Sequence, residues 1–503
     1  MMGIIKKTYG LLGLLSFRTE RRYENVNAAP QPEPEPDNTP LKIAFYNGGG
    51  MGDSIIDVAF IQNLRKILPP DTVVDYYAKS GKTFLKCPFV SHVFNDTRAL
   101  DKNKYDLAMG NHRFWMVTKF NEEKVMRMAP VLYDFCRYQL DLRNKILRNN
   151  NDNNNLYSQY AVLLGKNRWE QVDLKEITGF NRNNTLYMPL STEYFSVLKR
   201  NHLEPKRYIT INRGVDSNLG EDCPKLWPLE HYKKLVQILR KKYPDLKIIQ
   251  IGANDKYGVI DADLNLLGKT DIEETKILLK NALIHIDVEG GLVHLNHILH
   301  GKSCVIFGPT PVVPLQYPEN INLKNNACPH FCDWVIQDWQ KACLRGINPP
   351  PCMAQTKPED VLAAVSDYID KYQPYSYKIG RYSAPDYAET KIYWLGEMTD
   401  LFNELSNYHI IRLSEHIDNT HDSLKITTEY GNLYNLPQRN DEISCVVWVP
   451  KVGDQYQNMT FNELLRVVCP GGKIIVYTKT LGHDMKKLLS TDINGEYITI
   501  TKE

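Results

Sequence analysis

The hydrophobic positions of the chain form three successive series in which short apolar segments alternate with segments of helical spacing. In the middle series, the apolar segments YITINRG, KIIQIGA, IHIDVEGG and SCVIFGPT alternate with helical ones such as HYKKLVQILRKKY and IEETKILLKNA. Continuous apolar runs of this length are typical of strands that are buried on both faces. The alternation therefore predicts an α/β fold with parallel sheets covered by helices.

A glycine-rich turn follows the first apolar segment of the first series. LKIAFYN is predicted to be a strand and SIIDVAFIQNLRKILP a helix, with NGGGMGD (47–53) between them. Ile56, Phe60, Leu64 and Ile67 fall on one face of that helix. Glycines let a backbone pass close to a ligand, and the start of a helix attracts anions. The unit favours a nucleotide-binding site, although such turns also occur for packing alone.

Changes in composition divide the chain into segments. The first residues hold a short apolar stretch after two lysines and no A-x-A-like cleavage site, which predicts an amphipathic segment that contacts a membrane surface, or a frayed tail. A Pro/Glu-rich stretch then predicts an extended linker. The predicted segments are 1–28 (amphipathic), 29–40 (linker), and α/β domains at 41–200, 201–370 and 385–503.

The overall charge argues against one class of function. The 503 residues include 61 basic and 59 acidic side chains, which leaves a net charge of +2. This balance gives no electrostatic reason to expect a nucleic acid partner. Ten cysteines in a chain of this length are too sparse for a disulfide scaffold.

Four motifs, in order, resemble those of heptosyltransferase-like glycosyltransferases (glycosyltransferase family 9). They are GGGMGDSIIDVAFIQNLRKILP, KLWPLEHYKKLVQIL (225–239), LLGKTDIEETKILLKNA (266–282) and VEGGLVHLNHILHGKSCVIFGPT (288–310). The resemblance covers roughly residues 41–370. It implies a GT-B fold, in which two Rossmann-like domains face a cleft, with the acceptor on the first domain and the nucleotide-sugar on the second. It also implies an inverting glycosyl transfer that requires no metal or other cofactor.

The resemblance assigns catalytic roles to two residues. Asp53 would be the base that takes the proton of the acceptor hydroxyl, and Lys225 would face the donor diphosphate, where a fixed cation stabilises leaving-group charge. The alternatives are that Asp53 is a helix cap and that Lys225 is a solvated surface lysine. Trp227 is expected to pack the following helix in place.

The same resemblance gives a set of substrate-binding residues. The stretch EGGLVH departs from the family pattern, because Glu289 and Gly290 stand where the family has Asp and then Ser or Thr. The change puts in doubt which sugar is bound, or whether transfer occurs. His294 keeps its place, with a buried helix histidine as the alternative. The expected substrate-binding residues are Gly49, Gly50, Gly52, Glu289, Gly290, Gly291, His294, Gly308 and Thr310.

Four cysteines lie in one short stretch, 328–352. Their spacing is C-x3-C-x10-C-x8-C, and structural zinc and iron sites use four thiolates at comparable spacings. Autotransporter-modifying members of the resembled family bind iron through a similar loop. We therefore predict a structural zinc or iron ion here, with free thiols or disulfides as the alternatives. The predicted ligands are Cys328, Cys332, Cys343 and Cys352.

The last hundred residues resemble a different family. LYNLPQRNDEISCVVWVPKV followed by FNELLRVVCPGGKIIVYT is similar to the second half of a class I methyltransferase, over about residues 391–480. The cofactor site of that family needs a glycine-rich turn, and KIYWLGEMTDLF keeps only Gly396. Glu415 could supply the acid at the end of the second strand. We expect a degenerate methyltransferase-like domain used for packing, oligomerisation or acceptor docking.

Together these features predict a glycosyltransferase with an appended third domain. It would move a heptose-like sugar from an ADP-heptose-like donor to a glycan or protein hydroxyl. The expected location is the bacterial cytoplasm at the inner membrane face, with peripheral membrane contact and a homo-oligomer as further possibilities. The alternative is a non-catalytic relative that keeps the fold and binds a glycan or partner.

Overall fold

The computed structural model describes most of the chain from residue 37 onward. The predicted amphipathic segment, most of the predicted linker and Glu415 lie outside the described residues. The described residues are 37–84, 86–111, 115–146, 165, 187–215, 219–328, 331–333, 339–385, 391–397, 399–401, 405, 408–414, 426–430, 432–489 and 495–503.

The first series of elements forms a five-stranded sheet in the order β3-β2-β1-β4-β5. Neighbouring strands are parallel except β4 and β5, which pair antiparallel. The elements are β1 (Lys42–Asn47), α1 (Met51–Leu64), β2 (Val73–Ala78), β3 (His92–Phe94), β4 (Leu107–Asn111), β5 (Trp115–Phe120), α2 (Glu122–Met128) and α3 (Pro130–Ile146).

Helix α1 is less one-sided than its sequence predicts. The expected apolar face of Ile56, Phe60 and Leu64 is buried, but so is almost every other position, including Asp57. Ile67 falls beyond the helix, in a 3-10 turn, and is only partly buried. The helix is buried on more than one side because it also contacts a helix of the second sheet, described below.

The second series forms a six-stranded, all-parallel sheet in the order β11-β10-β9-β6-β7-β8. The predicted alternation is confirmed here segment by segment. The elements are α4 (Ser196–Arg200), β6 (Tyr208–Asn212), α5 (Leu229–Lys242), β7 (Lys247–Ile251), β8 (Leu264–Asn265), α6 (Ile272–Asn281), β9 (Ile284–Val288), α7 (Gly291–Ile298), β10 (Ser303–Phe307), α8 (Val312–Leu315), β11 (Ile321–Lys324), α9 (Pro351–Ala354) and α10 (Pro358–Lys371).

The third series forms a seven-stranded sheet in the order β12-β18-β17-β16-β13-β14-β15. Its five strands from β13 to β17 are parallel, and β18 and β12 add antiparallel at one edge. The elements are β12 (Tyr377–Arg381), β13 (Lys391–Leu395), β14 (His409–Ser414), β15 (Ile426–Tyr430), β16 (Ile443–Trp448), α11 (Gln457–Val467), β17 (Val468–Tyr477), α12 (His483–Leu488) and β18 (Tyr497–Lys502).

The predicted fold class is confirmed. The first two sheets are Rossmann-like α/β units of the GT-B kind, and the third is a further α/β unit with a mainly parallel sheet. The exact domain boundaries stay predictions. Among the described residues, no helix is both long enough and apolar enough to cross a membrane.

Candidate active site

The glycine-rich turn between β1 and α1 is held by two side chains next to it. The Gly49 N–H donates to Asn47 Oδ1 at 2.5 Å, and the Gly50 N–H donates to Asp53 Oδ2 at 2.9 Å. A Cβ at position 49 would lie 2.4 Å from the same Asp53 oxygen, so only glycine fits there. Asp53 therefore caps the start of α1, as its alternative role predicts. The same hydrogen bond fixes the orientation of its carboxyl group.

A second carboxylate, Asp57, lies one turn further along α1 and is fully buried. Asn47 Nδ2 donates to it at 2.5 Å, the Tyr76 hydroxyl donates at 3.0 Å, and Asn111 Nδ2 donates to its other oxygen. A buried carboxylate with three donors is a structural anchor, because loss of any one partner leaves a polar group unsatisfied. Asp57 thereby ties the ends of β1, β2 and β4 to the helix that carries Asp53.

The start of α1 meets the start of α7, so the first two sheets contact each other at two helix N-termini. A Cβ at Gly52 would lie 2.4 Å from His294 Cδ2, and a Cβ at Gly291 would lie 3.0 Å from Met51 Cε. A larger residue at position 52 would overlap the His294 ring, so packing within the protein accounts for this glycine. Because N-termini of helices carry partial positive charge, this junction is suited to an anion.

A buried ion pair lies beside this junction. Lys225 Nζ is 2.5 Å from Glu289 Oε2, and the other Glu289 oxygen is 3.6 Å from His294 Nε2. The Lys225 and Glu289 side chains are only 15% and 9% exposed, so Lys225 is not a solvated surface lysine. Three predicted site residues from separate parts of the sequence are therefore in contact.

The electrostatics of this pair are balanced. Burial alone would lower the pKa of Lys225, but the attraction of Glu289 outweighs burial and the pKa is raised. Burial alone would raise the pKa of Glu289, but Lys225 and His294 outweigh it and the pKa lies well below its usual range. Both groups are therefore charged at neutral pH, and each neutralises the other.

Tyr317 supports His294 from behind, a role that sequence reasoning missed. Its hydroxyl is 2.6 Å from His294 Nδ1, and its ring stacks on the His297 ring with centroids 3.6 Å apart. His297 in turn contacts Glu319 through Nδ1. His294 is 3% exposed, so it is a buried helix histidine, yet one held between two polar partners at the junction.

The remaining predicted substrate contacts differ in character. Gly290 is the N-cap of α7, in extended conformation, with nothing packed tightly against it. At Gly308, a Cβ would meet Met353 Sδ at 2.0 Å, so packing against the protein explains this glycine. Thr310 is 2% exposed, and its hydroxyl has no hydrogen-bond partner among the described residues. Of these three, the Thr310 hydroxyl retains the strongest signature of a ligand contact.

Trp227 packs as predicted. It is fully buried, and its indole N–H donates to the Thr356 carbonyl at 2.9 Å. Its ring also packs edge-to-face on Tyr232 of α5, with centroids 4.7 Å apart. Trp227 therefore anchors the segment that carries Lys225 to the start of α5.

The predicted metal site at the four cysteines stays a prediction. Among the described residues, no three His, Cys, Asp or Glu side chains are grouped to hold a metal ion, and all four thiols are free. Burial, with a smaller contribution from the other three cysteines, raises the pKa of Cys352 to about 11. Cys352 begins the short helix α9 and packs in the core, whereas Cys328, Cys332 and Cys343 lie in partly exposed loops.

Sequence comparison gives one family match. Residues 200–330 match the sequence model of Glycosyltransferase family 9 (heptosyltransferase), which spans most of the second sheet and includes Lys225, Glu289 and His294. A search of curated proteins finds no match.

Solved structures of similar proteins align at low identity. They include the E. coli ADP-heptose LPS heptosyltransferase II (14% identity, TM-score 0.41, 66% of this chain and 99% of that one). A second is a glycosyltransferase family 9 protein from Veillonella parvula (12% identity, TM-score 0.43, 66% of this chain and 98% of that one). A third is the iron-containing dodecameric glycosyltransferase TibC from enterotoxigenic E. coli (11% identity, TM-score 0.43, 65% of this chain and 76% of that one). At these TM-scores the likenesses carry no argument of their own. The predicted resemblance to glycosyltransferase family 9 is confirmed for residues 200–330, and with it the predicted enzyme class, a glycosyltransferase.

Proposed function

We propose that the protein is an inverting glycosyltransferase whose reaction takes place at the junction of α1 and α7. The observation that carries the proposal is the meeting of two helix N-termini beside the buried Lys225–Glu289–His294 cluster. This arrangement concentrates positive potential at one point and places the oriented carboxylate of Asp53 next to it.

The donor diphosphate would bind at the start of α7. The first N–H groups of a helix have no partner within the helix, and Gly290 leaves room for a ligand to approach them. Lys225 would face the diphosphate and stabilise the charge that develops on the leaving group. Because Glu289 neutralises this lysine, the diphosphate has to compete with Glu289 for it.

The transfer itself requires one base. The acceptor hydroxyl oxygen attacks the anomeric carbon as the bond from that carbon to the diphosphate oxygen breaks. The hydroxyl proton passes to Asp53, and the nucleoside diphosphate leaves with the bonding electrons. An aspartate suffices as base because the attacking hydroxyl becomes acidic only as the new bond forms. No step in this sequence uses a metal ion.

The heptose-like donor, the glycan or protein acceptor and the location at the inner membrane face are proposed from the family resemblance. The resembled enzymes use nucleotide-heptoses, and one similar structure is described with ADP-D-β-D-heptose. A homo-oligomer is proposed on the same basis.

We also propose that the third sheet is a degenerate methyltransferase-like domain. Its parallel strands run in the order 3-2-1-4-5, the order that binds cofactors at the point where strands 1 and 4 separate. Gly396 follows strand 1 there, but a Cβ on it would lie 2.2 Å from the Val449 carbonyl oxygen. Close packing against the protein thus accounts for the glycine, which supports a domain that keeps the fold without the cofactor site.

A non-catalytic role is the second candidate, and the ion pair favours it. Glu289 occupies Lys225 in the absence of a ligand, and it replaces the residue that the resembled family uses. A protein of this kind would bind a glycan or a partner without transferring a sugar.

Incubation with a panel of nucleotide-sugars, ADP-heptose included, separates the two candidates. We expect release of free nucleotide from one donor, with loss of that release in Asp53→Ala and Lys225→Ala. Melting curves of both variants would establish that they fold. Absence of release from every donor, together with no thermal shift by any nucleoside diphosphate, would favour the non-catalytic role.

A further inference from the structure

A large cavity lies where the second sheet unit meets the third, away from the α1–α7 junction. Its volume is about 1160 Å³, and its lining comes from both units, including α5, α6, α10 and α11. This volume is at the upper end of what small-molecule sites occupy. The family match stops at residue 330, so most of the wall that α10 and the third unit supply lies outside it.

One wall of the cavity carries two neighbouring tyrosine rings, each with a cation near it. Lys302 Nζ lies 5.3 Å from the centre of the Tyr368 ring, which is 6.3 Å from the Tyr372 ring. Arg207 lies close enough to Tyr372 to oppose the rise that burial causes in the pKa of its hydroxyl. Two tyrosines at the end of α10 thus each have a cation nearby, supplied by the residues that immediately precede β6 and β10.

The lining carries an excess of positive charge. Among the described lining residues, seven Lys and Arg side chains stand against four Asp and Glu side chains. Two of the four carboxylates already have cationic partners within the lining: Asp370 pairs with Lys242 at 3.2 Å, and Glu463 pairs with Lys280 at 2.7 Å. An anion that entered the cavity would therefore meet a net positive field.

The floor of the cavity explains why that field is strong. Lys280 and Arg466 share the carboxylate of Glu463, which is 3% exposed. The Lys206 ammonium group lies nearby and donates hydrogen bonds to the carbonyl oxygens of Lys280 and Ala282. Burial, together with repulsion from Arg466 and Lys206, outweighs the attraction of Glu463 and lowers the pKa of Lys280 to about 7. Two lysines and an arginine thus have one carboxylate between them.

We propose that this cavity is a binding site for a saccharide that carries a phosphate group. Arginine and lysine are the usual ligands of phosphate. Tyrosine faces and hydroxyls provide flat apolar surface and hydrogen bonds for the sugar ring, and six tyrosines line the cavity. The volume is far larger than a lone phosphate ion requires, so a larger molecule with both features fits it best. This site does not depend on the proposed transferase activity.

The test is calorimetric titration of the full-length protein with glucose 6-phosphate as the probe. Glucose and inorganic phosphate form two further arms, and a repeat in saturating ADP checks that the α1–α7 junction is not the site. We expect saturable binding of glucose 6-phosphate that ADP does not displace, with binding of inorganic phosphate at least about tenfold weaker and no binding of glucose.

Two variants locate the site, and one serves as a control. Arg207→Gln removes an exposed cation of the wall and should weaken binding about tenfold, as expected for a charge-assisted contact. Tyr372→Leu should weaken glucose 6-phosphate more than inorganic phosphate, because only the sugar needs the ring. Lys199→Gln, an exposed lysine of α4 outside the lining, should leave binding unchanged.

Four results would overturn the proposal. Absence of saturable binding would mean that the charges only dock the two units together. Equal affinity for inorganic phosphate would mean a simple anion site. Displacement by ADP, or an unchanged affinity in Arg207→Gln, would place the probe elsewhere.

Discussion

Two buried clusters of ionic side chains in the described part of the chain differ in charge balance. At the α1–α7 junction, one lysine, Lys225, faces one carboxylate, Glu289, and the pKa of that lysine is raised. At the contact of the second and third sheet units, Lys280 and Arg466 share the carboxylate of Glu463, and the pKa of Lys280 is lowered to about 7.

The difference shows that burial alone does not decide the charge of a lysine. Both lysines are deeply buried, and desolvation lowers the pKa of each. Lys225 gains more from Glu289 and Asp333 than it loses to burial, whereas repulsion from Arg466 and Lys206 lowers the pKa of Lys280 further. The junction is therefore a neutral pair that a ligand has to open, whereas the contact between units retains excess positive charge that an anion would relieve.

Glu463→Gln should have the largest effect on stability. It leaves Lys280 and Arg466 buried without a carboxylate, and breaking a buried pair in this way costs about 3–5 kcal/mol. Chemical denaturation should show this loss, with the exposed Glu204→Gln as a matched control. A loss below about 1 kcal/mol would contradict the account of this cluster.

The lowered pKa of Lys280 should make stability rise with pH. The pKa of this lysine is about 7 in the folded protein and 10.5 for an ordinary lysine, as in the unfolded chain, so between these values the unfolded chain binds more protons. Stability should therefore rise above pH 7, by at most about 1.4 kcal/mol per pH unit. Other charged and titratable groups surround the Lys280 ammonium group: Lys206, His297, His300, Glu463 and Arg466.

Denaturation between pH 7 and pH 9, with Lys280→Met beside the wild type, measures this slope. The variant should show a flatter dependence, although Lys206, whose pKa is lowered to about 8, keeps part of it. An identical slope in both proteins would assign the pH dependence to other groups.

Substitution of the two aspartates of α1 should have different effects, with Asp57 important for stability and Asp53 for sugar transfer. Asp57→Asn disrupts a fully buried carboxylate with three donors, so it should lower the free energy of unfolding by about 1–3 kcal/mol. Asp53→Asn should lower it by about 1 kcal/mol or less, as loss of a cap does, and yet abolish sugar transfer. Activity that survives in Asp53→Asn would remove Asp53 as the base.

Glu289→Gln should have the smallest effect of these variants, a change in the affinity for ADP. It removes the competitor for Lys225, so the affinity for ADP should rise several-fold even as the melting temperature of the free protein falls. Isothermal titration of wild type and variant measures this directly. A weaker affinity for ADP in the variant would mean that Glu289 assists the ligand.

The sequence predicted the fold well where local pattern determines it. From Tyr208 to Phe307, the strands and helices of the second sheet coincide with apolar runs and helical spacings in the amino-acid sequence. The glycine turn and its carboxylate were predicted for the same reason, since the hydrogen bonds that hold the turn join residues two or three positions apart.

The pairings that build the two clusters could not be predicted in this way. Lys225 and Glu289 are 64 residues apart, and His300 contacts the Leu436 carbonyl across 136 residues. No periodicity links such positions, so only the fold brings them together. Asp57 did leave a signal that was not used: it is an acid among the apolar residues of SIIDVAF. The metal site at the four cysteines stays a prediction, because cysteine spacing alone does not fix how loops orient their thiols.

The central claim is that the balanced junction, and not the positive cavity, holds the nucleoside diphosphate. The most direct test is ADP titration of the wild type, of Lys225→Met/Glu289→Gln, and of Lys280→Met. The double variant removes both charges, so neither is left buried alone. We predict that the double variant loses at least about tenfold in affinity for ADP and that Lys280→Met binds as the wild type does. Loss of ADP binding in Lys280→Met, with normal binding in the double variant, would contradict the account.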